Sequence, residues 1–355
     1  MVIGLLIVLV LLLTLPFLFR IIEHNLEYFL FTMGTLAAII SGVLSMHLLQ
    51  EILSNNLIYY IAAAVLIAGF VFRISVNKLK HLINYLLVKT SLKIFIFSLI
   101  LILGLISSLI TAIIAALILV EIVHALPFKH KNKVLLTVIS CFSIGLGAAL
   151  TPIGEPLATI VVSSLEADFF YIFRAIGIYV IPCIFALAIF GAIVIERAHK
   201  KEGLICQADE DNLCAEEALE IIEMEKLSEV FIRAFKIFVF VIALELLGKG
   251  FKPLIDTYII NLDSRILYWF NMSSAVLDNA TLAAAEISPA MSQSQIRSVL
   301  MGLILSGGML IPGNIPNIIS AGKLEIKSRE WAKVGLPIGL VLMVIYFLVL
   351  NVRLN

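Results

Sequence analysis

Charge is what this chain has least of. Asp, Glu, Lys and Arg make up only 14% of 355 residues, and 25 basic side chains balance 25 acidic ones. A formal net charge of zero argues against nucleic acid as a partner. Cysteine occurs four times. Cys206 and Cys214 lack the spacing of a CxxC metal or redox pair, and Cys141 and Cys183 lie in apolar runs where Cys serves as a small core residue. GxGD and HExxH motifs are missing. The reading is therefore a non-enzyme without a cofactor, and a membrane-embedded protease or lipid transferase is disfavoured.

What remains is hydrocarbon. Hydrophobic residues form 61% of the chain and mean hydropathy is +1.10, far more apolar surface than a water-soluble core of this size needs. A bilayer-spanning helix takes roughly 20 apolar residues. Runs near that length cover residues 2–19, 28–49, 57–72, 170–195, 230–247 and 334–349. The first has neither a basic n-region nor a small-residue cleavage site and reads as a retained helix. The expected class is an all-α polytopic membrane protein.

Lys and Arg mark cytoplasmic loops. They crowd residues 73–93, the turn FKHKNK at 128–133, the start of 196–229 and the approach to residue 334, whereas 51–56 and 166–169 have none and are read as external. The block 94–126 then has basic loops on both sides, which one crossing cannot satisfy. A re-entrant hairpin with two half-length helices and a tip at 106–111 resolves the conflict, since non-helical backbone at that depth is tolerated where it lines a cavity. A second hairpin, entering from outside, is expected to descend over 266–276, return over 281–287 and reach an outer loop at 288–298.

Two short segments repeat. GAALTPIGEP at 147–156 and GGMLIPGNIP at 307–316 share Gly-x-x-Leu-x-Pro-x-x-x-Pro at identical spacing. Paired prolines inside an apolar span break its helix, and the freed carbonyls and the next half-helix N-terminus then face the membrane interior. Opposite directions of travel predict an inverted repeat with two opposed re-entrant hairpins and two broken transmembrane helices. The expected organisation is N-terminal scaffold helices (1–93), a first repeat (94–195), a charged cytoplasmic loop (196–229) and a second repeat (230–355).

Ionisable groups at the bilayer centre cost at least about 2.5 to 3.5 kcal/mol, so each is a candidate for function. Glu155 lies in the first break beside Thr151. Asp278 lies at the second hairpin tip, followed by Asn279 and Thr281, oxygen donors suited to a hard cation such as sodium. The second break offers Asn314 and Asn317, neutral oxygens in place of the carboxylate. Glu286 and Glu121, on the return arms, are candidate proton relays, the favoured alternative being a hydrated or paired group near a hairpin mouth.

At LDNATLAAAEISP, TPIGEPLATIV and GGMLIPGNIPN the chain resembles the ion transporter superfamily: NhaD-type sodium/proton antiporters, arsenite pumps, divalent anion:sodium symporters, and prokaryotic cation transporters of unknown function. The likeness spans about residues 94–334. It implies opposed hairpins, a homodimer and an elevator-like transport domain. By position it makes Asp278, Asn279 and Thr281 the second tip, Asn314 the second break, Glu155 the first break, and Ser107, Ser108 and Thr111 the first tip. The tip SSLITAII lacks the Asn of that pattern, so the two sites are expected to differ. The resulting expectation is a multi-pass plasma-membrane antiporter, its partners being lipid, protons and a transported sodium or other small cation. A sodium-coupled symporter of a small anion is the alternative.

Overall fold

A computed structural model describes residues 1–19, 22, 25–56, 58–59, 62–63, 66–67, 70, 74, 90–126, 128–201, 227–254, 257–258, 261–277 and 279–353. The described chain is helical without a strand, and the protein is an all-α membrane protein. The stretches 75–89 and 202–226, much of 57–72, Cys206, Cys214 and Asp278 lie outside the described residues.

Helix α1 (Val2–Leu18) and α2 (Leu26–Ile40) form a first layer with α9 (Leu227–Leu254). Small residues let α2 and α9 meet closely: a Cβ on Gly34 would stand 2.7 Å from the Ala243 carbonyl oxygen, and one on Gly250 would stand 2.8 Å from the Ala37 carbonyl carbon. The apolar run 28–49 is not one helix. It ends at Ile40, turns through Gly42 at φ 76°, and restarts as α3 (Met46–Ser54). Hydropathy is blind to that interruption because residues 41–45 are themselves largely apolar.

One order of elements then occurs twice. In the first pass α4 (Leu92–Ile110), α5 (Ala112–Ala125), α6 (His130–Ala148), α7 (Pro156–Ser164) and α8 (Tyr171–Lys201) follow one another. In the second, α10 (Ser264–Phe270) continues into a 3-10 turn (Asn271–Ala275), and α11 (Asn279–Glu286), α12 (Gln293–Gly307), α13 (Ile315–Lys323) and α14 (Ser328–Arg353) follow. Among the described residues three helices are long and apolar enough to cross a membrane: Leu92–Ile110, Tyr171–Ala198 and Ser328–Val352. The first of these corrects the half-length expectation, since α4 has 19 residues and is about 28 Å long at 1.5 Å per residue. The other arm, α5, has 14.

The breaks fall where the prolines demand, at 149–155 and 308–314. Their register corrects the sequence motif by one residue. Gly154 and Gly313 play the same part, since a Cβ on either would strike the carbonyl oxygen of the residue ending the preceding helix, at 2.0 Å from Ala148 and 2.4 Å from Gly307. Glu155 (φ −154°, ψ 160°) and Asn314 (φ −157°, ψ 162°) then cap α7 and α13. Both short helices end on a leucine followed by a left-handed glutamate, Glu166 at φ 49° and Glu325 at φ 53°. Pro156 and Pro316, which align in the motif, stand one step apart.

The two broken helices are the core. Residues 136–148 of α6 and 298–307 of α12 are buried on every side, which is the environment of a helix shielded by protein rather than lipid. Packing crosses between the two passes, with α7 against α11 and α13 against α5.

Candidate functional site

The first break is built around close backbone approach. A Cβ on Gly147 would lie 1.7 Å from the Gly104 carbonyl oxygen, so α4 and α6 touch there. Beyond it, the turn between α4 and α5 is the single residue Thr111, at φ 79° and ψ 149°, a region a β-branched side chain rarely occupies. The turn is docked on the break: Ala112 N donates to Gly154 O at 2.8 Å, and Thr151 Oγ1 donates to Ser108 O. Ser108 and Thr111 of the expected tip and Thr151 of the break are thus side by side.

Ser107 does something else. Its hydroxyl is buried and donates to Gly104 O (2.7 Å) and Ile144 O (2.9 Å), fastening α4 to α6. The Ser108 hydroxyl donates back to Leu105 O at 2.8 Å, and only its carbonyl faces the break. Part of the backbone at the first break is satisfied within the protein. Gly147 O accepts from Leu150 N, Thr151 O from Gly154 N, Pro152 O from Thr159 Oγ1 and Gly154 O from Ala112 N. Backbone groups inside a membrane protein find internal donors wherever they can. Glu155, 5% exposed, is the charged side chain at this break.

The second break is an amide version of the first. Asn314 Oδ1 accepts from Asn317 N at 3.2 Å, an N-cap bond, whereas Glu155 makes no such bond to its own helix. Asn317 Nδ2 donates to Gly307 O (2.9 Å) and Leu310 O (2.8 Å), while its Oδ1 is buried with no hydrogen-bond partner among the described residues. The 3-10 turn and α11 reach the same place: a Cβ on Gly307 would be 3.6 Å from Ser274 Oγ and 3.7 Å from Asn279 Nδ2. One on Gly145 would be 2.8 Å from Asn314 Nδ2, so the first broken helix runs beside the second break. Asn279 and Thr281 are buried on α11, which packs on α7, the helix that Glu155 caps. Asn279, Asn314 and Asn317 are thus buried around the second break, while Glu155 and Thr281 are buried on the packed pair of α7 and α11. Asp278 lies outside the described residues.

Of the relay candidates, Glu286 is buried at the end of α11, and its Oε2 accepts from Asn271 Nδ2 at 2.9 Å. Glu121 is half-buried on α5. Sequence reasoning missed Asn271, and it missed Glu245, a buried carboxylate inside an apolar run of α9. Glu245 Oε1 accepts from Ser163 Oγ (3.2 Å) at the end of α7 and from Asn55 Nδ2 (3.3 Å) just beyond α3. One turn further along α9, Lys249 Nζ donates to Glu51 at 2.8 Å and holds that carboxyl below the ordinary carboxylate range. A carboxylate set in the apolar stretch 237–248 of α9 was the available signal for Glu245. Among the described residues no group of three or more His, Cys, Asp or Glu is placed to hold a metal ion.

No curated protein matches the chain. A family model does, over residues 2–353, nearly its whole length, and the chain belongs to that family, described as Protein of unknown function (DUF1646).

Proposed function

We propose that this protein is a secondary active transporter of the plasma membrane that exchanges sodium, or another small cation, for protons. The observation that carries the reading is the docking of a helical turn onto each break, with Glu155 and Asn314 capping the two post-break helices in the same backbone conformation. A site made from two interrupted helices can be opened to either side by moving one pass against the other, which is alternating access. In this reading the two passes form an inverted repeat, Glu155 and Asp278 bind either the cation or a proton, and Asn279, Thr281, Asn314 and Asn317 supply neutral oxygens. Charge neutralisation by the bound species then permits the site to cross, elevator-fashion, against the α1, α2 and α9 layer of a homodimer.

The asymmetry between Glu155 and Asn314 also favours a second reading. A break capped by an amide and the N-terminus of α13 suits a small anion, and sodium-coupled anion symport follows if the carboxylates hold sodium alone.

Purified protein in liposomes containing a pH-sensitive dye separates the two. On adding sodium, lithium, potassium or calcium outside, cation-driven proton efflux is expected from the wild type and is expected to be lost in Glu155→Gln and Asp278→Asn. Folded, inserted protein that moves no protons with any cation would overturn antiport, and sodium-dependent uptake of small anions would then be measured.

A further inference from the structure

Asn271 is wholly buried, and Glu286 is 3% exposed. The two stand on opposite arms of the second hairpin, Asn271 opening the 3-10 turn and Glu286 closing α11. Asn271 Nδ2 donates twice, to Leu267 O and to Glu286 Oε2, each at 2.9 Å. The other half of each group is orphaned: neither Asn271 Oδ1 nor Glu286 Oε1 has a hydrogen-bond partner among the described residues. Two adjacent buried groups thus present acceptors in excess of donors, and leaving such atoms unpaired is costly, most of all for a carboxylate.

Charges on the surrounding elements do not repair this. Helix α7 carries none, nor does the 3-10 turn, and α1 has no charged side chain. On α12 the charged side chain is Arg297, which makes no ion pair with Glu286 among the described residues, and its Nε is itself buried without a partner. On α9, Lys236 pairs with Glu27, Lys249 pairs with Glu51, and Glu245 is engaged by Ser163 and Asn55. Glu229, Arg233 and Lys252 are the remaining charges of that helix. The α11 segment itself contributes only Glu286.

We infer that Glu286 and Asn271 form a proton-binding site of the second hairpin, separate from the cation site at the breaks: Glu286 holds one proton, and Asn271 Nδ2 supports the carboxylate when that proton leaves. The missing donor is the proton itself. Losing it places a carboxylate between the arms with Asn271 Nδ2 as its donor among the described residues, so occupancy of this site governs how firmly the arms are held together. The role in coupling rests on the antiport reading and names the group that carries the proton within it.

Infrared difference spectra of the purified protein in lipid, taken across a pH series, read the site without any transport. The wild type is expected to show a protonated-carboxyl stretching band that disappears as pH rises, and Glu286→Gln, nearly the same in shape, is expected to lack it. Asn271→Ala removes a donor to the carboxylate, so its band should persist to higher pH, by about tenfold in proton concentration. An unchanged band in Glu286→Gln, or no such band in folded wild type, overturns the site. If Glu286→Gln fails to fold, an Asn271→Ala band titrating as in the wild type overturns it alone. Liposome flux isolates the coupling role. A Glu286-dependent band with no proton movement by the wild type would sink antiport and leave the site standing. Exchange by Glu286→Gln with unaltered pH dependence would remove Glu286 from the coupling.

Discussion

Thr111 turns the chain between α4 and α5 in a conformation that only glycine adopts without cost. Backbone held in such a region stores about 1–3 kcal/mol, and the side chain returns little of it, since Thr111 Oγ1 accepts from Ile114 N at a long 3.4 Å. Thr111→Gly is therefore expected to raise the thermal unfolding midpoint in detergent, followed by tryptophan fluorescence. Gly154→Ala and Gly313→Ala should do the opposite. Each puts a methyl group inside the contact distance of a carbonyl oxygen that backbone alone can move, a clash of about 1–3 kcal/mol or more. If all three variants unfold at the wild-type temperature, the strained turn and the tight glycines are not as described. At this scale the sequence was informative where chemistry is local. Proline announced the breaks, and an acid in a hydrocarbon run announced Glu155 and Glu286. Asn271 and Glu245 were silent because their meaning is a partner far along the chain: Asn55 meets Glu245 across 190 positions.

At the scale of elements, α12 shows how a polar start drives an apolar helix. Ser292 Oγ accepts from Gln295 N while the Gln295 side chain accepts from Ser292 N, a capping box that satisfies two orphan groups at once. The reciprocal pair makes residue 293 the first residue of the helix, so the connection from α11 is 287–292 and not the longer 288–298 expected from polarity. Ser292→Ala should cost about 1 kcal/mol, seen as a lower unfolding midpoint with unchanged helix content by circular dichroism. A midpoint equal to wild type would show that tertiary packing alone holds this end. Polar residues look alike whether they cap a helix or line a loop, and only their spacing separates the two. The same limitation hid the turn at Gly42, where the flanking residues are apolar, and shifted the two breaks by one position, because prolines at equal spacing outweighed the glycines that carry the equivalence.

Across the whole molecule, apolar composition and the order of breaks were legible, and the partners of each helix were not, because packing between distant segments leaves no periodic mark on either. Helix α7 rests against α11 of the other pass and against α9, and α13 rests against α5 and α6. Such an exchange of equivalent elements is the geometry of a domain-swapped dimer, here with both copies in one chain. The linker between Lys201 and Leu227 is then dispensable for holding the passes together. Cleaved at a protease site engineered into that linker, the two fragments should remain one particle through gel filtration in mild detergent. Either fragment expressed alone should be unstable, having lost the surface on which its short helix sits. Separation of the cut fragments under those conditions would contradict the exchange. Under the proposed repeat, a mutation in one pass is complemented or exposed by the sequence of the other.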